Sequence, residues 1–348
     1  MYITYMEKIL SEDALLQFRR LTAEAQHIVI CTHVNPDGDA IGSSLAMKKY
    51  LAREGKNVEV VVPTSFPDFL KWVPGASEVK VYAKHEEEMS AVIKEADLFF
   101  VADFNAPSRL MGMEAAVMAN PAPKIMIDHH TDPADFCQVV VSRPDMCATA
   151  EVWCHLLDQT GELDTISHDE AVCIYTAMMC DTGAFTYASS RPAVYECIGK
   201  LLACGIDKDK IYRNVFWTAS PARMKLMGYM LYVKMDVLTQ MHASIMTLTN
   251  SERRLFGIKN GDTEGFVNMP LQIMGMRLSV FLAQDTEHPD VIKVSLRSVD
   301  DFPCNEMAAR FFNGGGHKNA SGGRLQCSMD EAVETVKKAI RAFETLLK

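Results

Sequence analysis

Four short segments carry carboxylates and imidazoles in a pattern that could hold cations. They are residues 33–39 (HVNPDGD), Asp103, the triplet Asp128, His129 and His130, and Asp181 followed by Thr182 and Gly183. Singly, each has an ordinary explanation. Asp39 could cap a helix starting at Ala40, Asp103 could shape a turn, and a lone histidine is more often packed or solvated than reactive. Together they are harder to explain, because Asp37, Asp39, Asp103 and Asp181 would crowd negative charge at one rim and disturb one another's ionisation. Two divalent cations would cancel that charge and leave positions open for a phosphate. Such a pair activates water and clamps the attacking and leaving oxygens of a phosphoryl displacement. Imidazoles beside carboxylates favour Mn2+ over Mg2+.

Bringing these segments together requires elements that end at a common edge. Apolar runs precede all four: 27–32 (HIVICT), 97–102 (DLFFVA), 124–127 (KIMI) and 171–180. With further strand-like runs at 57–62 and 78–82, and helix-like stretches at 40–54, 148–159, 168–180 and 192–204, the pattern is that of an α/β domain with a largely parallel sheet. Ser167 and Glu170 form a capping box for one helix. In such a sheet the carboxyl ends of the strands open onto the ligand crevice. After a helical, Met-rich stretch at 206–232 the texture changes. Strand-like 235–248 and 291–297, a helix at 306–312, a glycine run at 314–316 and a last helix at 330–347 follow. The expected organisation is a catalytic domain over 1–215, a helical connector over 216–235 and a smaller α/β domain over 236–348.

The glycine run has its own chemistry. Gly314, Gly315 and Gly316 would let backbone N–H groups approach an anion closely, with His317 and Lys318 adding donors. A flexible turn is the plain alternative. Arg297, Arg310 and Arg324 make the region locally basic in a chain whose 35 Lys and Arg against 45 Asp and Glu leave a net charge of −10. A long duplex, bound mainly by phosphate neutralisation, is excluded on that balance, whereas short anions are not. No run of about twenty apolar residues is present, and the first ten residues lack the pattern of a secretory leader. A cytoplasmic protein without membrane attachment is expected. The ten cysteines, with 147/154, 173/180 and 197/204 each seven apart in helix-like segments, read as buried thiols.

The ordered set of HxxxDxD at 33–39, Asp103, Asp128-His129-His130 and Asp181-Thr182-Gly183 resembles the DHH phosphoesterase superfamily. The segments 294–298 (VSLRS) and 313–323 (NGGGHKNASGG) look like the DHH-associated substrate-binding domain of one of its branches. The resemblance runs nearly end to end. It implies a largely parallel-sheet catalytic domain followed by a smaller α/β substrate domain. It also implies that His33, Asp37 and Asp103 hold one ion and Asp39, Asp103, His129 and Asp181 the other. His130 would face the scissile phosphate, and Asp128 would either orient the imidazoles or serve only the turn. Arg297, Gly314, Gly315, Gly316 and His317 would bind substrate. Where the family often has Arg-Ser-Lys, this chain has Arg297, Ser298 and Val299.

The activity this implies is hydrolysis of very short oligonucleotides, RNA or DNA, or of small phosphorylated nucleotides such as 3′-phosphoadenosine 5′-phosphate, with two divalent ions, Mn2+ the expected metal. A linear or cyclic dinucleotide phosphodiesterase, a RecJ-like single-strand exonuclease and a catalytically silent nucleotide-binding regulator stand as alternatives. The oligomeric state, a homodimer included, is left open.

Overall fold

The computed structural model describes residues 6–259 and 261–348. Residues 1–5, part of the stretch in which no leader is expected, lie outside the described residues. The chain divides into two compact units, Met1–Thr218 and Ala219–Lys348.

In the first unit, α1 (Glu12–Glu24), β1 (His27–Cys31), α2 (Gly38–Arg53), β2 (Asn57–Val62), β3 (Lys80–Val81), α3 (Glu86–Glu95), β4 (Leu98–Ala102), α4 (Glu114–Ala119), β5 (Lys124–Asp128) and β6 (Val139–Ser142) alternate. Four helices follow, α5 (Thr149–Thr160), α6 (His168–Asp181), α7 (Pro192–Ala203) and α8 (Lys208–Phe216). The six strands form a parallel sheet in the order β3-β2-β1-β4-β5-β6. Strand order reverses between β1 and β4, the place where an open α/β sheet splits to admit a ligand. Every residue of β4 and β5 is buried, which a parallel sheet achieves only with helices on both faces. Ile30, Phe100 and Ile127 pack with Trp153 of α5 on one face. Val29, Phe99 and Met126 pack with Met89 and Ile93 of α3 on the other.

Several local expectations change. The helix expected from Ala40 begins at Gly38, because Asp37 is its N-cap and accepts from the N–H groups of Asp39 and Ala40, both at 3.0 Å. The 78–82 run yields only a two-residue strand flanked by 3-10 turns. The apolar run before Asp181 is helical, as the 168–180 stretch predicts, so this aspartate is delivered by the end of α6 while the other three segments follow strands. Cys147 precedes α5 and so does not share a helix with Cys154; all ten thiols are free. The Ser167–Glu170 capping box is present.

Helices α2 and α6 approach closely. A Cβ on Gly42 would lie 2.6 Å from the Cys173 carbonyl oxygen, and one on Gly38 would lie 2.3 Å from Cys180 Sγ. Only glycine permits that spacing, and it sets the carboxyl end of α6 beside the amino end of α2.

In the second unit, α9 (Pro221–Tyr229), β7 (Met235–Leu238), β8 (Ala243–Leu248), α10 (Asn250–Phe256), β9 (Leu278–Gln284), β10 (Val291–Ser298), α11 (Cys304–Phe311), β11 (Gly315–His317), β12 (Ala320–Gln326), α12 (Met329–Ala342) and α13 (Glu344–Leu347) surround a mixed sheet ordered β11-β12-β10-β9-β8-β7. All its pairings are antiparallel except β8 with β9. The 206–232 stretch is not one helix. It breaks after Phe216 into α8 and α9, with Pro221 in the first turn of α9. The 235–248 run is a hairpin turned at His242, whose φ is 50°. The glycine run is mostly an edge strand paired with β12, not a loop.

Candidate metal centre

The carboxyl ends of β1, β4 and β5 each deliver a reactive side chain. Asp103 directly follows β4 with φ 64°, a left-handed conformation that non-glycine residues seldom adopt. Its N–H donates to the Ile127 carbonyl at 3.1 Å, which holds the turn. Its carboxylate, buried at 2% exposure, accepts from Thr149 Oγ1 at 2.9 Å. Asp39 lies in the first turn of α2. Its carboxylate accepts the backbone N–H groups of Thr149 (2.6 Å) and Ala150 (3.1 Å), so it caps the start of α5 and not its own helix. The positive end of α5 therefore holds a buried anion at the rim.

The imidazoles are oriented by backbone carbonyls. His33 Nδ1 lies 2.8 Å from the Val34 oxygen and His129 Nδ1 3.2 Å from the Met146 oxygen. A carbonyl only accepts, so Nδ1 carries a proton and, in the neutral ring, Nε2 has the lone pair. Those lone pairs face carboxylates. His33 Nε2 is 3.4 Å from Asp103 and 3.9 Å from Asp37; His129 Nε2 is 3.4 Å from Asp181, 3.7 Å from Asp103 and 3.9 Å from Asp39. Lone pairs facing anions at these distances make no good hydrogen bond, but a cation between them satisfies both.

His130 is arranged differently. Its Nδ1 pairs with Asp128 Oδ1 at 2.8 Å, while Asp128 is fully buried and its Oδ2 has no partner among the described residues. Asp128 thus orients His130 and not His129. The His130 side chain is also the most open of the three imidazoles, at 36% exposure against 8% for His33 and 17% for His129.

Three sets of donor atoms lie within 4.8 Å of one another: His33, Asp37 and Asp103; Asp39, His129 and Asp181; Asp103, His129 and His130. Burial, reinforced by the neighbouring carboxylates, pushes Asp39 and Asp103 well above the usual carboxylate range. Burial also raises Asp181, against the pull of His129. Each of these groups gains from a cation. The nitrogen and oxygen donors fit a hard or borderline divalent ion. Burial pushes the nearby Cys147 and Cys180 thiols up as well.

In the second unit, Arg297 of β10 and His317 of β11 both pair in register with Ala320 of β12. Directly paired residues share a sheet face, so the two stand in one row, two strand spacings or about 10 Å apart. The Arg297 guanidinium donates to the Leu296 carbonyl at 2.9 Å. Two of the glycines are required by the hairpin. A Cβ on Gly314 would lie 1.9 Å from the Gly322 oxygen, and Gly316 has φ 136°. A Cβ on Gly315 meets nothing within 4 Å, so nothing in the packing requires glycine there. Lys318 is tied to Asp301 at 2.6 Å.

The DHH family N-terminal domain model matches residues 27–178 and the DHHA1 domain model residues 247–343. A bifunctional oligoribonuclease and PAP phosphatase, NrnA, of Thermus thermophilus is 30% identical over 90% of this chain and 89% of its own. The chain belongs to the DHH family. A solved exopolyphosphatase-related protein of Bacteroides fragilis shares 46% identity and superposes with TM-score 0.92 over 98% of this chain and 99% of its own. Manganese-bound RecJ of Thermus thermophilus, 16% identical, shares the fold at TM-score 0.52 over 97% of this chain and 55% of that one. The DHH fold is thus a six-stranded parallel sheet with helices, followed by a mixed sheet. Among the described residues no helix is long and apolar enough to cross a membrane.

One DHH-site residue escaped the motifs. Thr149 bonds both Asp39, through its N–H, and Asp103, through its hydroxyl, so it couples two carboxylates from different elements. Its only sequence signal is a threonine at the start of a helix, which is too common to single out.

Proposed function

We propose that the chain is a two-metal-ion phosphoesterase acting on short oligonucleotides or on 3′-phosphoadenosine 5′-phosphate. The observation that carries the chemistry is Asp103, whose two oxygens face His33 on one side and His129 on the other. The substrate class is supported by the end-to-end likeness to an oligoribonuclease and PAP phosphatase.

On this reading His33, Asp37 and Asp103 would hold one divalent ion, and Asp39, His129 and Asp181 the other, with Asp103 shared and manganese the working metal. Bound there, the ions supply an acidified water and charge neutralisation at the attacking and leaving oxygens. The protein's own groups do the rest. Asp128 holds the Nδ1–H of His130, which leaves Nε2 to face the scissile phosphate and, when protonated, to donate to one of its oxygens. Thr149 and the start of α5 keep Asp39 and Asp103 fixed as charge develops. Arg297 and His317, in one row of the second sheet, with Gly315 beside them, capture the substrate's terminal phosphate.

The test is turnover with Mn2+ on separate substrates: 5′-phosphorylated di- to pentanucleotides, 3′-phosphoadenosine 5′-phosphate, cyclic dinucleotides, long single-stranded DNA and pyrophosphate. Hydrolysis of the first two groups is expected, and His317→Ala should raise KM on them more than it lowers kcat. No turnover of any short nucleotide would overturn the reading. Digestion of long DNA with indifference to dinucleotides would favour a RecJ-like exonuclease, and preference for cyclic dinucleotides a cyclic-dinucleotide phosphodiesterase.

A further inference from the structure

Directly after Asp181 the chain enters a segment whose backbone is unusual. Gly183, Ala184, Phe185 and Ala188 all have positive φ, between 48° and 62°, three of them without the freedom of glycine. Such clustering costs conformational energy and persists only where the surroundings enforce it. They do so here. Buried Thr182 accepts from the N–H groups of Thr186 and Tyr187 at 3.0 Å through its carbonyl, and its hydroxyl accepts from Phe185 N at 2.9 Å. Ser189 Oγ closes the loop on the Phe185 carbonyl at 2.8 Å.

The result sorts two aromatic side chains. Phe185 turns inward onto Tyr175, ring centres 5.4 Å apart. Tyr187 turns outward and is 71% exposed. Its ring lies over Gly183, where a Cβ would come within 2.9 Å of it. Gly183 is two residues, at most about 7 Å of chain, beyond Asp181, whose carboxylate is 3.4 Å from His129 Nε2. A solvent-facing aromatic ring thus lies against Gly183, two residues along the chain from the Asp181 carboxylate of the candidate metal centre. Among the described residues the Tyr187 hydroxyl has no hydrogen-bond partner, so the ring itself is what the segment displays.

We propose that Tyr187 is a substrate-binding residue that stacks on a nucleobase adjacent to the scissile phosphate. The proposal rests on the reading of the chain as a short-nucleotide phosphoesterase. Aromatic stacking tolerates any base and contributes to binding without touching the chemistry, so the residue acts on KM and not on kcat.

The experiment compares wild type with Tyr187→Ala, Tyr187→Leu and Tyr187→Phe, all loaded with Mn2+. The substrates are a 5′-phosphorylated adenine dinucleotide and its counterparts lacking either base. Tyr187→Ala and Tyr187→Leu should raise KM for the intact dinucleotide on the order of tenfold, with kcat within about twofold. Tyr187→Phe should match wild type. For one abasic counterpart all four proteins should have the same KM, which names the stacked base. Equal KM across all variants on the intact dinucleotide, or equal losses on every substrate, would overturn the proposal while wild-type turnover leaves the phosphoesterase reading in place. Failure of wild type on every nucleotide would overturn that reading itself. The Mn2+-induced rise in melting temperature, unchanged in each variant, checks that the centre is intact.

Discussion

Asp103 combines a buried charge with a left-handed backbone, and neither favours folding on its own. The nearby charges of Asp37, Asp181 and Asp128 add to the burial that pushes its carboxyl up. Asparagine tolerates the same backbone conformation and can still accept from Thr149, but it carries no charge. Asp103→Asn should therefore stabilise the metal-free protein by about 1–3 kcal/mol, because a repelled buried charge is removed. It should also abolish hydrolysis and most of the Mn2+-induced stabilisation. Thermal melts in EDTA and in Mn2+ test both halves, and a variant less stable than wild type in EDTA would contradict the account. The residue scale is also where the sequence was most informative. Asp37, Asp39, Asp103, Asp128, His129, His130 and Asp181 were visible as polar side chains placed directly after apolar runs. Thr149 was not, because its importance lies in which carboxylates it meets and not in its type.

Elements decide whether those residues converge, and here sequence patterning was less reliable. The ten residues 170–179 of α6 are buried all round, so the run shows no amphipathic period, and its helical reading rests on the Ser167–Glu170 capping box instead. β9 is similarly apolar and went unanticipated, and a single left-handed residue at His242 split an expected strand into a hairpin. The α2–α6 approach is invisible except as glycines. Gly42→Ala would put a Cβ 2.6 Å from the Cys173 oxygen and 2.8 Å from Ala177 Cβ. The helices must then part, at a cost of about 1–3 kcal/mol. Because α6 carries Asp181, the Mn2+-induced rise in melting temperature should shrink as well. Gly199→Ala, on the exposed face of α7 with nothing within 4 Å, should instead stabilise by about 0.5–1 kcal/mol. In the second unit, Glu252 anchors the start of α10. Burial tends to raise its carboxyl, but Lys234 at 2.8 Å, Thr249 and Tyr229 outweigh it and bring it down to about 2. A depressed carboxylate contributes stability above its unfolded pKa, near 4.5, and loses it as pH falls toward 2. Glu252→Gln should cost about 1–3 kcal/mol at pH 7, and by pH 3 the gap to wild type should shrink by about half. A gap independent of pH would show that the carboxylate's charge is not what anchors the helix.

At the scale of the whole molecule, the net charge of −10 does not describe the working surface. Several of its carboxylates gather in the candidate metal centre, where two bound divalent cations would cancel the local charge, while Arg297 and His317 stand on a separate sheet. Each unit also carries its own hydrophobic core. The first has Ile30, Phe100 and Trp153 on one face of its sheet and Phe99 on the other; the second has Leu282, Phe302 and Phe312 around α11 and α12. A unit of this size buries enough apolar surface to fold alone. Residues 1–218 expressed separately should therefore melt cooperatively, gain stability with Mn2+ and lose that gain in EDTA. Since all the proposed metal ligands lie in this segment, it should still hydrolyse a small activated phosphodiester. It should lose most of its affinity for 5′-phosphorylated dinucleotides, because the residues assigned to terminal-phosphate capture are absent, and KM should rise while the rate on the activated ester changes little. An isolated segment with undiminished affinity for dinucleotides would remove the second unit from substrate capture. A segment that binds Mn2+ but hydrolyses neither substrate would mean that the second unit contributes to the chemistry itself.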